Sequence, residues 1–298
     1  MRPTHWSKNV FVFAALIFGR KLIGEPDEVL ISVASAIGAF MCFSLASSAM
    51  YIFNDVMDRK TDLLHPDKRK RPIASGQISV GHAIVFAAFC AITALVGGFM
   101  LVQTFAIILL MYMAMSLLYS LYLKQKMVID VIIIATGFVF RAVAGAVVVG
   151  VFISPWLIIC TFALCLFLGF SKRYAEIRLL AENGKEFRKT LGGYTPELLS
   201  HMVNVSSGLA VICFLLYTMD ARTVHSFGTN NLFVTVPLVL YCVFRFSVLI
   251  QKGVYTGPVH IVLKDRPFQL GFLLWMLACF AIINSHKLGL RLSDIVAY

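Results

Sequence analysis

Residues 51–72 read YIFNDVMDRKTDLLHPDKRKRP, and within them Asn54, Asp55, Asp58 and Asp62 fit the spacing NDxxDxxxD. On a helix turning about 100° per residue the four lie at about 0°, 100°, 40° and 80°, inside one arc. Three carboxylates so placed repel one another, and a divalent cation removes that cost. Hard oxygen donors with no histidine or cysteine among them suit Mg2+, with Mn2+ as a substitute. Mg2+ typically takes one or two carboxylates and shares a substrate phosphate. The plainer alternative is a solvated helix end whose aspartates pair with the basic run that follows, Lys68-Arg69-Lys70-Arg71. That run can itself hold phosphate oxygens, or it can attract anionic lipid beside a membrane. Lys68 and Arg71, at its two ends, are the first candidates for phosphate.

Such a cluster needs helices to carry it, and the composition says of what kind. Of the 298 residues 59% are hydrophobic and only 14% charged, with a mean hydropathy of +0.85; soluble domains average about 45–50% and 25%. The expected fold is therefore all-α, a polytopic protein whose main partner is the lipid bilayer; nothing in the pattern points to nucleic acid, and nothing specifies an oligomeric state. A window of roughly 20 apolar residues gives nine spans, at about 9–24, 28–53, 80–101, 103–123, 128–150, 154–171, 199–219, 231–251 and 268–286. The first follows a basic start and lacks a small-residue cleavage site, so it reads as a retained helix rather than a signal peptide. With the N-terminus cytoplasmic, 19 of the 26 lysines and arginines fall on the cytoplasmic side and 5 outside, while Arg141 and Arg245 lie within spans. That bias sets the orientation and places the two long polar loops, about 54–79 and 172–198, in the cytoplasm and the C-terminus outside. All seven cysteines sit in apolar runs without CxxC spacing and read as packing residues. One membrane domain, 1–298, is the simplest organisation.

The blocks RPTHWSKN and YIFNDVMDRKTDLLHPDKRKRPIASG, with nine spans and charged loops after the second and sixth, resemble the UbiA superfamily of intramembrane prenyltransferases over nearly the whole chain. The resemblance implies a helical bundle around a cytoplasm-facing cavity, in which Mg2+ held by the aspartate motif activates a diphosphate leaving group. Typical members carry a second aspartate-rich motif after the sixth span. Here that segment reads GFSKRYAEIRLLAENGKEFRKTLGGYT, with Lys172, Arg173 and Tyr174 at the expected acidic positions. Together with YSLYLK and GFVFRAVAG, this is similar to the decaprenyl-phosphate phosphoribosyltransferase branch. Members of that branch move a 5-phosphoribosyl group from phosphoribosyl diphosphate to a polyprenyl monophosphate, a precursor step to lipid-linked arabinose. A donor with one metal-bound diphosphate and one phosphate monoester, meeting a monoester acceptor, fits one acidic and one basic cluster.

On that resemblance Asp55, Asp58 and Asp62 are the catalytic acids and, with Asn54, the metal ligands. Lys172, Arg173 and Tyr174 face phosphate monoesters. Lys8 reads as a phosphate ligand or, like Trp6, as an interfacial anchor. Tyr51 hydrogen-bonds the donor or packs, and Lys124 is a candidate for the lipid phosphate. Arg141, in mid-span, is a functional candidate because burying its charge is costly; the alternative is a structural partner, one of the aspartates for instance. Arg245 snorkels or pairs internally. His65 and His201 read as surface residues, and a dianionic lipid phosphate needs no general base. Two rival readings stand: a conventional prenyltransferase acting on a prenyl diphosphate, which the missing second acidic motif disfavours, and an anion transporter lined by Arg141 and Arg245, which a clustered NDxxDxxxD disfavours.

Overall fold

Proline opens and glycine closes many of the helices, as expected from proline's missing N–H and glycine's tolerance of positive φ. Pro26, Pro155 and Pro196 begin the three longest helices, and Gly150, Gly228 and Gly253 end others in the left-handed conformation. The computed structural model describes residues 3–19, 21–22, 25–64, 68–183, 193–255 and 257–283. His65, the loop cations Lys185, Arg188 and Lys189, and the C-terminal Lys287 and Arg291 lie outside the described residues, as does the outer placement of the C-terminus. No strand occurs among the described residues.

The α-helices are α1 (Ala14–Phe18), α2 (Pro26–Met57), α3 (Arg59–Leu63), α4 (Val80–Leu101), α5 (Gln103–Leu121), α6 (Ile129–Val149), α7 (Pro155–Asn183), α8 (Pro196–Met219), α9 (Ala221–Phe227), α10 (Val236–Lys252), α11 (Pro258–Lys264) and α12 (Arg266–Ile283). Eight helices among the described residues are long and apolar enough to cross a bilayer. The chain divides into two compact units, 1–153 and 154–298.

In the first unit α2 packs against α4, α5 and α6 over Phe43, Phe105, Leu109 and Tyr112, with Ala39, Ala46, Ala94 and Ala144 letting the helices approach. The predicted first span, 9–24, takes another form. A 3-10 helix, Pro3–Phe13, runs into the single turn of α1. It lies antiparallel to α2: Trp6 Nε1 donates to Ser48 Oγ at 3.1 Å, Phe13 stacks obliquely on Phe40 at 5.4 Å, and Leu16 packs on Ala36. At about 2.0 Å rise per residue in its 3-10 part and 1.5 Å in its α part, the segment is about 30 Å long, the thickness of a hydrocarbon core. Its backbone presses so closely on α6 that a Cβ at Gly145 would overlap the Val12 carbonyl. That contact and buried Asn9 hold a segment that starts earlier than the span hydropathy predicts and is mostly 3-10 rather than α.

In the second unit α7 and α8 pack side by side, α10 lies on α12, and Phe214, Tyr217, Phe227, Leu232 and Ile282 form the core with Trp156 and Trp275 beside them. Arg245 pairs internally: its Nε and Nη2 grip the two Asp265 oxygens at 3.1 and 2.9 Å. The guanidinium holds the Asp265 carboxyl below the usual carboxylate range, and the same carboxylate caps α12 by accepting from Phe268 N at 2.8 Å. The loop expected from 172 onward begins instead as helix, since α7 runs on through Asn183. Ala175-Glu176-Ile177-Arg178-Leu179-Leu180-Ala181-Glu182 is a run of helix formers with no breaker before Asn183-Gly184.

Candidate active site

The face of α2 that carries the acids forms as the spacing predicts, with one interruption. α2 closes at Met57, Asp58 stands at φ −87°, ψ 2°, and α3 follows at once. Asp62 N still donates to Asp58 O at 2.8 Å, so i to i+4 bonding resumes across the break. A single nitrogen proves the shared face: Arg71 Nη1 donates to Asp55 Oδ1 at 3.1 Å and to Asp62 Oδ2 at 2.6 Å, two carboxylates seven residues apart. Lys124 Nζ pairs with Asp58 Oδ1, and Asn54 Nδ2 donates to Asp58 Oδ2 at 3.1 Å. Tyr51, half-buried, falls in the same arc one turn earlier.

Two physical costs converge here. Like charges crowd one face, and they do so at the C-terminal end of a long helix, where the macrodipole disfavours anions. The chain offsets both with Arg71 and Lys124, so the basic run divides in two. Arg71 turns inward to the acids, whereas Arg69 and Lys70 are exposed and Lys68 is intermediate. Lys124, expected at a lipid phosphate, is brought to Asp58 across 66 residues of sequence. The connection that brings it there is strained. Val128 sits at φ 68°, ψ −48°, with Ile129 N donating to Met127 O at 2.8 Å, a γ-turn that β-branched residues rarely adopt.

Among the described residues no group of three or more His, Cys, Asp or Glu is gathered as a metal cage. The donor set nonetheless suits Mg2+. Asp62 is almost fully buried, while the Asp55 and Asp58 side chains keep 14% and 28% of their surface open, which offers the one or two carboxylates that Mg2+ uses alongside phosphate and water.

Arg141 is buried in α6, and its partners are neutral, not aspartates. Nε donates to Asn9 Oδ1 at 2.7 Å, Nη1 to the Gly137 carbonyl at 2.6 Å and Nη2 to Tyr112 Oη at 2.9 Å. The Tyr112, Phe138 and Phe43 rings lie 4.8, 5.3 and 5.8 Å from its Cζ, supplying cation–π stabilisation. Asn9 in turn donates to Ser44 and Ser47 Oγ. This network ties the N-terminal segment to α2 and α6. Asn9 and Tyr112 were not among the predicted residues; a polar residue beside Lys8 in an otherwise apolar run was the available signal. Lys8 itself is exposed on the 3-10 helix.

In the second unit Lys172, Arg173 and Tyr174 ride on α7. Arg173 is buried and donates from Nη1 to Glu176 Oε2 at 2.6 Å; Lys172, largely exposed, lies 3.8 Å from Glu176 Oε1. Tyr174 is half-buried and His201 exposed. Glu176 was not anticipated, although its spacing of three and four residues from the two cations is a standard helical pairing.

Comparison with known proteins follows the same lines. The model of the UbiA prenyltransferase family matches residues 10–256. The chain is 33% identical over 282 residues to the decaprenyl-phosphate phosphoribosyltransferase of Mycolicibacterium smegmatis, covering 93% of this chain and 88% of that protein. It is 33% identical over 280 residues to the protein of the same name from Mycobacterium tuberculosis, covering 93% and 90%. Its fold is similar to that of a UbiA homolog from Archaeoglobus fulgidus bound to GPP and Mg2+, with a TM-score of 0.68 at 20% identity over 95% of this chain and 97% of that one.

Proposed function

The chain belongs to the UbiA prenyltransferase family, and from that premise we propose that it transfers the 5-phosphoribosyl group of phosphoribosyl diphosphate to a polyprenyl monophosphate such as decaprenyl phosphate, releasing pyrophosphate. The bond from ribosyl C1 to the diphosphate oxygen breaks, and a bond from C1 to a lipid phosphate oxygen forms. The observation that carries the reading is the difference between the two charged clusters: three aspartates at the end of α2, and Lys172 with Arg173 on α7 where prenyl-diphosphate members present acids. Relatives named for this activity, matched over 93% of the chain, support it.

Asn54, Asp55, Asp58 and Asp62 would hold Mg2+, which when bound neutralises charge on the leaving diphosphate. Lys8 and Lys68 are assigned to phosphate and Tyr51 to the donor. Lys172, Arg173 and Tyr174 are assigned to phosphate monoesters, and Arg71 and Lys124 to phosphate once the acids release them. The lipid phosphate, with a second pKa near 6, is mostly dianionic at neutral pH and attacks without a base. The product would serve as precursor of lipid-linked arabinose for a cell-wall polysaccharide. The 19-to-5 bias of cations supports a plasma (inner) membrane protein with the N-terminus and site cytoplasmic and the C-terminus outside. The family match spans both units, which supports one transferase domain.

The test is reconstitution with phosphoribosyl diphosphate labelled at its 5-phosphate, decaprenyl phosphate and Mg2+. Label should enter the lipid extract, and pyrophosphate should appear only when both substrates are present. Pyrophosphate release without lipid labelling, or neither, would overturn the proposal.

A further inference from the structure

The two cations on the acidic arc engage carboxylate oxygens that would otherwise be open to a divalent metal. Arg71 Nη1 bridges Asp55 and Asp62, 3.1 and 2.6 Å from their oxygens. Lys124 Nζ takes Asp58 Oδ1, and the Asn54 amide takes Oδ2. All three aspartates therefore already have a positively charged partner belonging to the chain. Neither cation is local to the arc by accident. Arg71 returns from the loop beyond α3, and Lys124 is delivered by the short 3-10 turn after α5, directly ahead of the strained Val128 turn. Arg59, Lys60, Arg69 and Lys70 are nearer in sequence or equally available, yet all four are exposed.

We infer that Arg71 and Lys124 are counter-cations that hold the arc in its ligand-free state and compete with divalent metal for it. Metal alone then binds weakly. The donor's phosphates, by giving both cations another anion, release the aspartates, so metal and donor enter as one complex. The donor's identity rests on the reading proposed above; the competition does not.

The experiment therefore contains neither donor nor acceptor. Full-length protein in lipid nanodiscs is titrated with Mn2+, and bound metal is read from the loss of the free-ion electron paramagnetic resonance signal. Lys124→Gln and Arg71→Gln should each tighten Mn2+ binding about tenfold or more, the scale of one charge-assisted hydrogen bond removed from competition. Lys124→Arg, which keeps a cation on the same carboxylate, should stay within about twofold of wild type. Lys60→Gln removes an exposed charge two residues from Asp58 and Asp62 and should also stay within about twofold. Unchanged or weaker binding in the Gln variants of Lys124 and Arg71 overturns the inference. Equal tightening in Lys60→Gln overturns it too, because the effect would then be the general field of the basic loop. Should Arg71→Gln not yield folded protein, Lys124→Gln decides alone, since the two ion pairs share no atom.

Discussion

The end of α2 and the polar extension of α7 are built from the same parts in opposite proportion. At the first, three carboxylates, Asp55, Asp58 and Asp62, meet two cations, Arg71 and Lys124. At the second, two cations, Lys172 and Arg173, meet the one carboxylate of Glu176. Each cluster is internally paired, so neither leaves all its charges bare, yet the residual sign differs. An acidic remainder suits a divalent ion on a diphosphate, and a basic remainder suits a phosphate monoester. The sign of the excess, not the presence of charge, distinguishes the two.

The largest effect should come from breaking the acidic side. Asp58→Asn keeps shape and removes the charge that both Lys124 and a metal would need. Turnover should fall at least about 100-fold, the scale for losing a major electrostatic contributor, while membrane insertion and thermal stability stay near wild type. Near-normal turnover with unaltered metal dependence would remove the acidic cluster from the chemistry.

On the basic side, Lys172→Ala should raise the Michaelis constant for the ribosyl donor or the lipid phosphate by about 10- to 150-fold, the range for one charge-assisted hydrogen bond of about 1.5–3 kcal/mol. Lys172→Asp should be worse, because with Glu176 it turns the cluster acidic. In both variants the Mg2+ requirement should be unchanged; a Lys172→Asp protein as active as wild type would erase the distinction between the clusters.

A smaller effect on catalysis, but a measurable one on stability, belongs to Arg141. Its hydrogen bonds all go to protein groups, so it belongs to neither cluster. Arg141→Met should lower the stability of the detergent-solubilised protein by about 3 kcal/mol, since Asn9, Tyr112 and the Gly137 carbonyl lose their buried partner. The surviving fraction should show a donor Michaelis constant within about twofold of wild type. A large rise in that constant with normal stability would return Arg141 to the substrate site.

How much of this was legible in the sequence depended on the range of the interaction. Apolar runs located the eight long helices, and 80–101 coincides with α4. The acidic face was legible because its periodicity is local. Partners were not: Arg141 finds Asn9 across 132 residues and Lys124 finds Asp58 across 66, and no spacing rule reaches so far. The N-terminal segment had the composition of a spanning helix, but close packing on Gly145 and the bonds of Asn9 set its shape. Hydropathy located the apolar part of α7 but not where the helix ends, because helix formers carry it on to Asn183.

The most direct measurement is the choice of donor by the purified wild-type protein. Offered radiolabelled phosphoribosyl diphosphate with decaprenyl phosphate, and separately a prenyl diphosphate with an aromatic acceptor, it should favour the ribosyl donor in kcat/KM by at least about 1,000-fold. A site that binds a donor through several charged hydrogen bonds rejects a compound lacking them on that scale or more. Turnover of the prenyl diphosphate with the ribosyl donor ignored would contradict the account and make the protein a conventional prenyltransferase.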